Sequence, residues 1–169
     1  MDLIDGIFSR RSIRKYKNGE LSKDQIDTIL KAGMYAPSAR NQQPWHFIVV
    51  SDKKILLQIK EVHPYASMLE HAQIAILVCG DETLELSEGY WVVDCSAATQ
   101  NILLAAHGLG LGAVWLGLHP REERKNDVRA IFDLPSNIQP LSLISIGISD
   151  EQKDDPKRFK PERIHYNIW

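Results

Sequence analysis

The chain has 169 residues, 44% hydrophobic and 25% charged, which suits one globular domain with a core of its own. Its formal charge of −2 provides no overall basic field for nucleic acid or an anionic membrane, and no apolar run is long enough to span a bilayer. The opening MDLIDGIFSRR lacks the basic start, apolar centre and small-residue cleavage site of a secretory leader, so a cytoplasmic location is expected.

In chain order, LIDGIF reads as a short helix that runs into RRSIRKY (10–16), where four of seven positions are cations. LSKDQIDTILKAGMYAPS follows as a second helix. Ser22 and Gln25 form a capping box, Ile26, Ile29, Leu30 and Met34 recur at helical spacing, and Pro37 marks the end. WHFIVVS (45–51) is β-branched and aromatic, a buried strand. DKKILLQIKEV predicts a helix, YASMLEHA a second one, and IAILVCG (74–80) another buried strand. YWVVDCSAATQNILLAAHGLG is a long helix with Gly108 or Gly110 as its left-handed cap. Its apolar residues go almost all the way round, so it is expected to be buried on every side, with a partner subunit covering one face. AVWLGL (113–118) is a strand, REERKNDVRAIF a helix and PLSLISIGI (140–148) a strand. The tail 150–169 has no periodicity yet ends in Ile168 and Trp169. It reads either as disordered or as an arm lying on another subunit. This order gives an α+β or mixed α/β layer around one sheet.

Three stretches could carry chemistry. Arg10, Ser12 and Arg14 alternate, so an extended backbone would aim them to one side as a phosphate cradle; the alternative is helix-end cations that meet water. In APSARNQQPW (36–45), two prolines bracket Ser38, Arg40, Asn41, Gln42 and Gln43. Amides that both donate and accept suit a planar ligand such as a flavin, and equally a stiff polar loop. The glycines of GLGLGAVWLG follow a helix and open a strand, the reverse of a dinucleotide fingerprint, so a Rossmann site is rejected. No HExxH motif or GxSxG elbow occurs, and His63 and His71 have no acidic partner at metal spacing. His107 reads as a core or interface histidine, Trp45, Trp91 and Trp115 as core, and Cys79 and Cys95 as buried, inert thiols.

Together, RRSIRKY, ILKAGMYAPSARNQQPWHFIVV and the glycine-rich turn into WLG resemble the nitroreductase family, in order and spacing along nearly the whole chain. The resemblance implies an α+β fold with a central mixed, mainly antiparallel sheet flanked by helices. It implies a domain-exchanged homodimer in which residues 1–169 form one FMN-binding domain and residues 150–169 an arm on the partner subunit. FMN would lie in the interface. Arg10, Arg11, Ser12 and Arg14 fall on the family's phosphate and ribityl contacts, and Ser38, Asn41 and Gln43 on the loop that reaches the flavin from the partner. Trp115, Leu116 and Gly117 fall beside the isoalloxazine ring, and Arg163, with Lys160, where the C-terminal segment adds a phosphate cation. The implied activity is reduction of nitroaromatics, quinones or similar flat acceptors by NADH or NADPH in a ping-pong flavin cycle, with no side chain required as acid or base. A flavin-binding sensor or carrier without turnover, and a reductive dehalogenase of the same family, are the alternatives. The chain lacks the long inserted helices and the acidic-glycine motif of larger members.

Overall fold

The computed structural model describes residues 2–169. Helix α1 (Leu3–Ser9) starts at Asp2, whose side chain accepts the Ile4 amide, and ends at Arg10, from which the chain runs extended through the cation cluster. Strand β1 (Tyr16–Lys17) leads to α2 (Lys23–Met34), which opens on the predicted capping box: Gln25 N donates to Ser22 Oγ at 3.2 Å and Ser22 N to Gln25 Oε1 at 2.9 Å. Then come β2 (Trp45–Val50), α3 (Lys53–Val62), β3 (Ile74–Asp81), α4 (Trp91–Gly108), β4 (Leu111–Gly117), α5 (Glu122–Phe132) and β5 (Ile138–Ser149). The helix expected near Tyr65–Ala72 is instead a single 3-10 turn, Ser67–Glu70. No side chain caps it, and β3 begins too soon for a longer helix to propagate. Of the two candidate caps of α4, Gly110 takes the left-handed conformation, at φ 76°.

The sheet is organised around β5. Its twelve residues pair with β3, β4 and β1, while β2 pairs with β3. All of these pairings are antiparallel; the parallel element is an isolated bridge between Ser12 and Ala113. Alternation along β3 divides the core. Leu77 and Cys79 face α3 and α5 with Leu56, Ile59, Leu116 and Val128, while Ile76 and Val78 face α2 and α4 with Ile29, Ile102 and Ile144. At Gly80 the helix comes so close that an added Cβ would lie 2.6 Å from the Trp91 ring. Burial pushes the thiols of Cys79, to about 12, and Cys95 up, so both stay protonated.

The chain covers only part of α4. Trp91, Cys95, Ala98, Ile102 and Ala106 are buried, but Val93 is 63% exposed and Ala97, Leu104 and His107 are half-buried on the same stripe. Leu3, Ile4, Ile7 and Phe8 of α1 are exposed as well. The tail first runs back along the cation segment. Asp150 N donates to Lys15 O at 2.9 Å, Lys153 Nζ to Ser12 O at 2.6 Å, and Arg11 Nε to Asp154 O at 2.8 Å. Beyond residue 155 it is exposed, and Trp169, at 98%, stacks only on His165 among the described residues. No described helix is long and apolar enough to cross a membrane.

Candidate functional site

Arg10 and Arg11 have different surroundings. Arg11 is a strut: its guanidinium donates to Phe8 O (2.7 Å), Arg10 O (3.0 Å) and Asp154 O (2.8 Å), and lies 3.7 Å from Asp155. The Arg10 backbone donates to Gly6 O and accepts from Arg11, but its guanidinium has no hydrogen-bond partner among the described residues. Burial, then the charges of Arg158 and Arg11, push its pKa below the ordinary value. Arg10, Lys157 and Arg158 line a cleft of about 1240 Å³ between the end of α1 and the tail, walled by Ile7, Phe8 and Phe159. Asp5 and Asp155 line the same cleft, but among the described residues no carboxylate lies within 4.0 Å of Arg10 or Arg158, so the two guanidiniums are chemically suited to a phosphate-sized anion. Ser12 and Arg14 lie outside this lining; Arg14 donates its amide to Glu151 Oε1 and its Nη1 to Ser12 O. Lys160 and Arg163 also lie outside it, on an exposed 3-10 turn and its start. His107, at the C-terminal end of α4, meets Ser9 Oγ at 2.8 Å; burial and the charges of Arg10 and Arg11 hold its pKa below the usual histidine value.

The amide loop sits at the other end of α4. Asp94, 3% exposed, accepts Ala39 N–H at 2.9 Å and Gln42 Nε2–H at 2.7 Å. Gln42 Oε1 in turn accepts the amides of Leu86 and Ser87 at 2.7 and 3.3 Å. Thus pinned, the backbone takes positive φ at Arg40, Asn41 and Gln43 (51°, 56° and 47°), a conformation that persists only where its surroundings fix it. Ser38 Oγ accepts the Gln43 amide at 3.0 Å, and Gln43 Nε2 donates to Asn41 Oδ1 at 2.9 Å, leaving both amide side chains exposed. Asp94 and His107 are thirteen positions apart on α4, about 20 Å at 1.5 Å per residue. The loop and the arginines are therefore held apart in one chain.

Strand β4 supplies a free edge. Ile13 N–H reaches Ala113 O from outside the β4–β5 ladder, and Leu118 N–H reaches Leu141 O inside it. Antiparallel alternation then turns the N–H and C=O of Trp115 and Gly117 outward. An added Cβ at Gly117 meets nothing within 4 Å, so a flat ligand can approach the backbone there. The outward Gly117 carbonyl is fixed by His63 Nε2 and Arg124 Nη1, each at 3.2 Å. Leu116 is buried and points to the opposite face, against α3 and α5.

The model of the nitroreductase family matches residues 7–78 and 57–148. The chain belongs to the nitroreductase family. A relative from Methanothermobacter thermautotrophicus, provisionally named NADH dehydrogenase/NAD(P)H nitroreductase, is 49% identical over all of this chain and 88% of its own length. A crystal structure from Parabacteroides distasonis with the same provisional name superposes with a TM-score of 0.95 at 42% identity, covering 99% of this chain and 98% of the other. Another, from Desulfovibrio desulfuricans, is of a provisionally named nitroreductase in complex with FMN. It has a TM-score of 0.87 and 30% identity, covering 100% of this chain and 98% of that one.

Sequence reasoning missed three residues of this nitroreductase-family chain. Arg158 and Lys157 lie in a tail without periodicity, so nothing local ranks them above Lys160 and Arg163. Asp94 sits inside the apolar run of α4, and a lone buried carboxylate there was itself a signal that some loop must be hydrogen-bonded to it.

Proposed function

We propose that the chain is an FMN-dependent NAD(P)H oxidoreductase that reduces flat electron acceptors, nitroaromatics or quinones, in two alternating half-reactions. The observation that carries the proposal is Arg10 and Arg158 together on the cleft, neither paired with a carboxylate among the described residues, with the open backbone edge at Trp115–Gly117 on the same chain. The first fits a monophosphate and the second the edge of a planar ring system, so the residues present fit FMN. When bound, FMN supplies the two-electron chemistry, accepting hydride from NADH or NADPH and passing it on. The chain's own residues bind and orient. Arg10 and Arg158 would hold the phosphate, Arg11 fixes the tail that carries Arg158, and the outward Gly117 amide offers a donor to the ring edge. Ser12, Arg14, Lys160 and Arg163 stay as candidates for the ribityl chain or for a site completed by a second copy.

The proposed protein is a homodimer of single domains, with residues 150–169 as an arm on the partner. Its support is the uncovered stripe of α4, the bare apolar face of α1 and the exposed Phe159, Ile164, Ile168 and Trp169. The separation of about 20 Å along α4 supports the reading that Ser38, Asn41 and Gln43 serve a ring held by the other copy rather than the phosphate of their own. The test is direct. The purified protein should show a flavin absorption spectrum, bind FMN when reconstituted, and bleach on addition of NADH or NADPH. A protein that refuses FMN overturns the proposal. A chain cut after residue 155 should sediment as a monomer and bind FMN weakly; a truncated dimer with full FMN affinity would remove the arm from both roles.

A further inference from the structure

The end of β4 holds a cation that the cofactor site does not use. Arg124, in the first turn of α5, directs Nη1 to Gly117 O, and its guanidinium lies 5.4 Å from the centroid of the Tyr65 ring. It has no carboxylate within 4.0 Å among the described residues, whereas its neighbour Lys125 pairs with Glu122 and Lys60 with Glu70. A guanidinium carries five N–H donors in a planar fork, so most of those on Arg124 are uncommitted.

Resting on the reading of Trp115–Gly117 as the flavin's ring edge, we propose that Arg124, braced on Tyr65, selects acceptors that carry an anionic group directly on the flat ring, such as aryl carboxylates. Three observations support this. The Gly117 carbonyl already receives a bond from His63, which is 2% exposed and kept neutral by burial and by the charge of Arg124, so a second, charged donor is not needed to satisfy it. Tyr65 is 67% exposed and Arg124 half-buried, so the braced guanidinium lies at the surface of this corner rather than in the core. Between Lys60 and Arg121 the sequence contains no lysine or arginine, so β3, α4 and β4 bring no rival cation to this corner. The position also distinguishes the two substrates. Arg124 lies one hydrogen bond from Gly117, within reach of a group attached to a ring stacked there. The phosphates of a nicotinamide dinucleotide are a full ribose further away. A carboxylate on the ring accepts two parallel N–H bonds from the fork, and no covalent step involves Arg124.

The test uses the full-length, FMN-loaded protein with saturating NADH or NADPH, and reads kcat/KM for 4-nitrobenzoate relative to nitrobenzene. Wild-type protein should favour the carboxylate. In Arg124→Gln the ratio should fall by about tenfold or more, carried by KM, as expected on losing a charge-assisted pair, and Arg124→Lys should restore part of it. Tyr65→Leu, which leaves the cation but removes its brace, should lower the ratio in the same direction and serves if the first variant does not fold. Equal losses on both acceptors, or a ratio that does not move in either variant, overturns the proposal while leaving FMN binding and bleaching intact. A wild-type protein that takes up no FMN overturns the cofactor reading, and this proposal falls with it.

Discussion

Replacing Arg10 with Ala separates a ligand-binding arginine from a structural one. The Arg10 guanidinium makes no hydrogen bond within the described chain, is partly desolvated, and is repelled by Arg158 and Arg11. Its removal should therefore leave the FMN-free protein as stable as before, or slightly more so. A charge-assisted contact to a phosphate contributes about 1.5–3 kcal/mol, so FMN affinity should weaken by about 10- to 150-fold. Arg11→Ala is the control. It removes three bonds to carbonyls of Phe8, Arg10 and Asp154, and should lower the stability of the FMN-free protein by about 1–3 kcal/mol. FMN fluorescence quenching measures the first effect and urea unfolding of the FMN-free protein the second. If Arg10→Ala destabilised the FMN-free chain and left FMN affinity alone, the division of roles drawn from the geometry would be wrong.

Gly117→Ala should leave the unfolding midpoint of the FMN-free protein in place, because nothing among the described residues meets the new methyl, yet weaken FMN binding by intruding on the ring's approach; titration of both proteins with FMN checks it. Asp94→Ala leaves the buried donors of Ala39 and Gln42 without an acceptor and should cost about 2–4 kcal/mol in urea unfolding while loosening the loop that carries Asn41 and Gln43. Stability should also fall as pH drops below about 6.5. The pKa values of His63, His107 and His119 are lowered from 6.5, each chiefly by burial, so the unfolded chain binds more protons there and acid favours it. The contribution is full above 6.5 and is lost on acidification, before the carboxylates of Glu70, Glu122 and Glu151, lowered from 4.5, lose theirs further down. Urea midpoints that do not change between pH 7 and pH 5 would contradict it, and His63→Gln should flatten part of the slope.

The strands and helices of this fold were legible because their signals are local. The capping box at Ser22, the β-branched runs of β2 and β3, and the apolar circumference of α4 each describe an element from within itself. The cation cluster and the amide loop were legible as types of chemistry, since arginine forks and clustered amides suit few partners. Their assembly was not. That Arg11 is a strut and Arg10 is free depends on carbonyls of Asp154 and Phe8, one of them more than 140 positions away. That Gln42 points inward while Asn41 and Gln43 point outward depends on Asp94, in a different element. Arg158 shares its cleft with Arg10 only because the tail folds back along residues 10–15, and no periodicity announces that path. The pairing of Arg124 with Gly117 likewise joins the start of one element to the end of another.

The late position of β5 has a consequence for how the protein is made. Strands β3 and β4 have no bond to each other and are joined only through β5 (Ile138–Ser149), which lies beyond the first four-fifths of the 169-residue chain and so is among the last segments to leave the ribosome. Until then a nascent chain can form the β2–β3 pair and its helices. Strand β4, with Leu111, Val114 and Leu116, waits with both edges open, and Ser12 has no settled strand to bridge. Products that stop short of residue 138 should therefore be sticky rather than partly functional, and chaperone demand should fall abruptly once the last strand is threaded between its two neighbours.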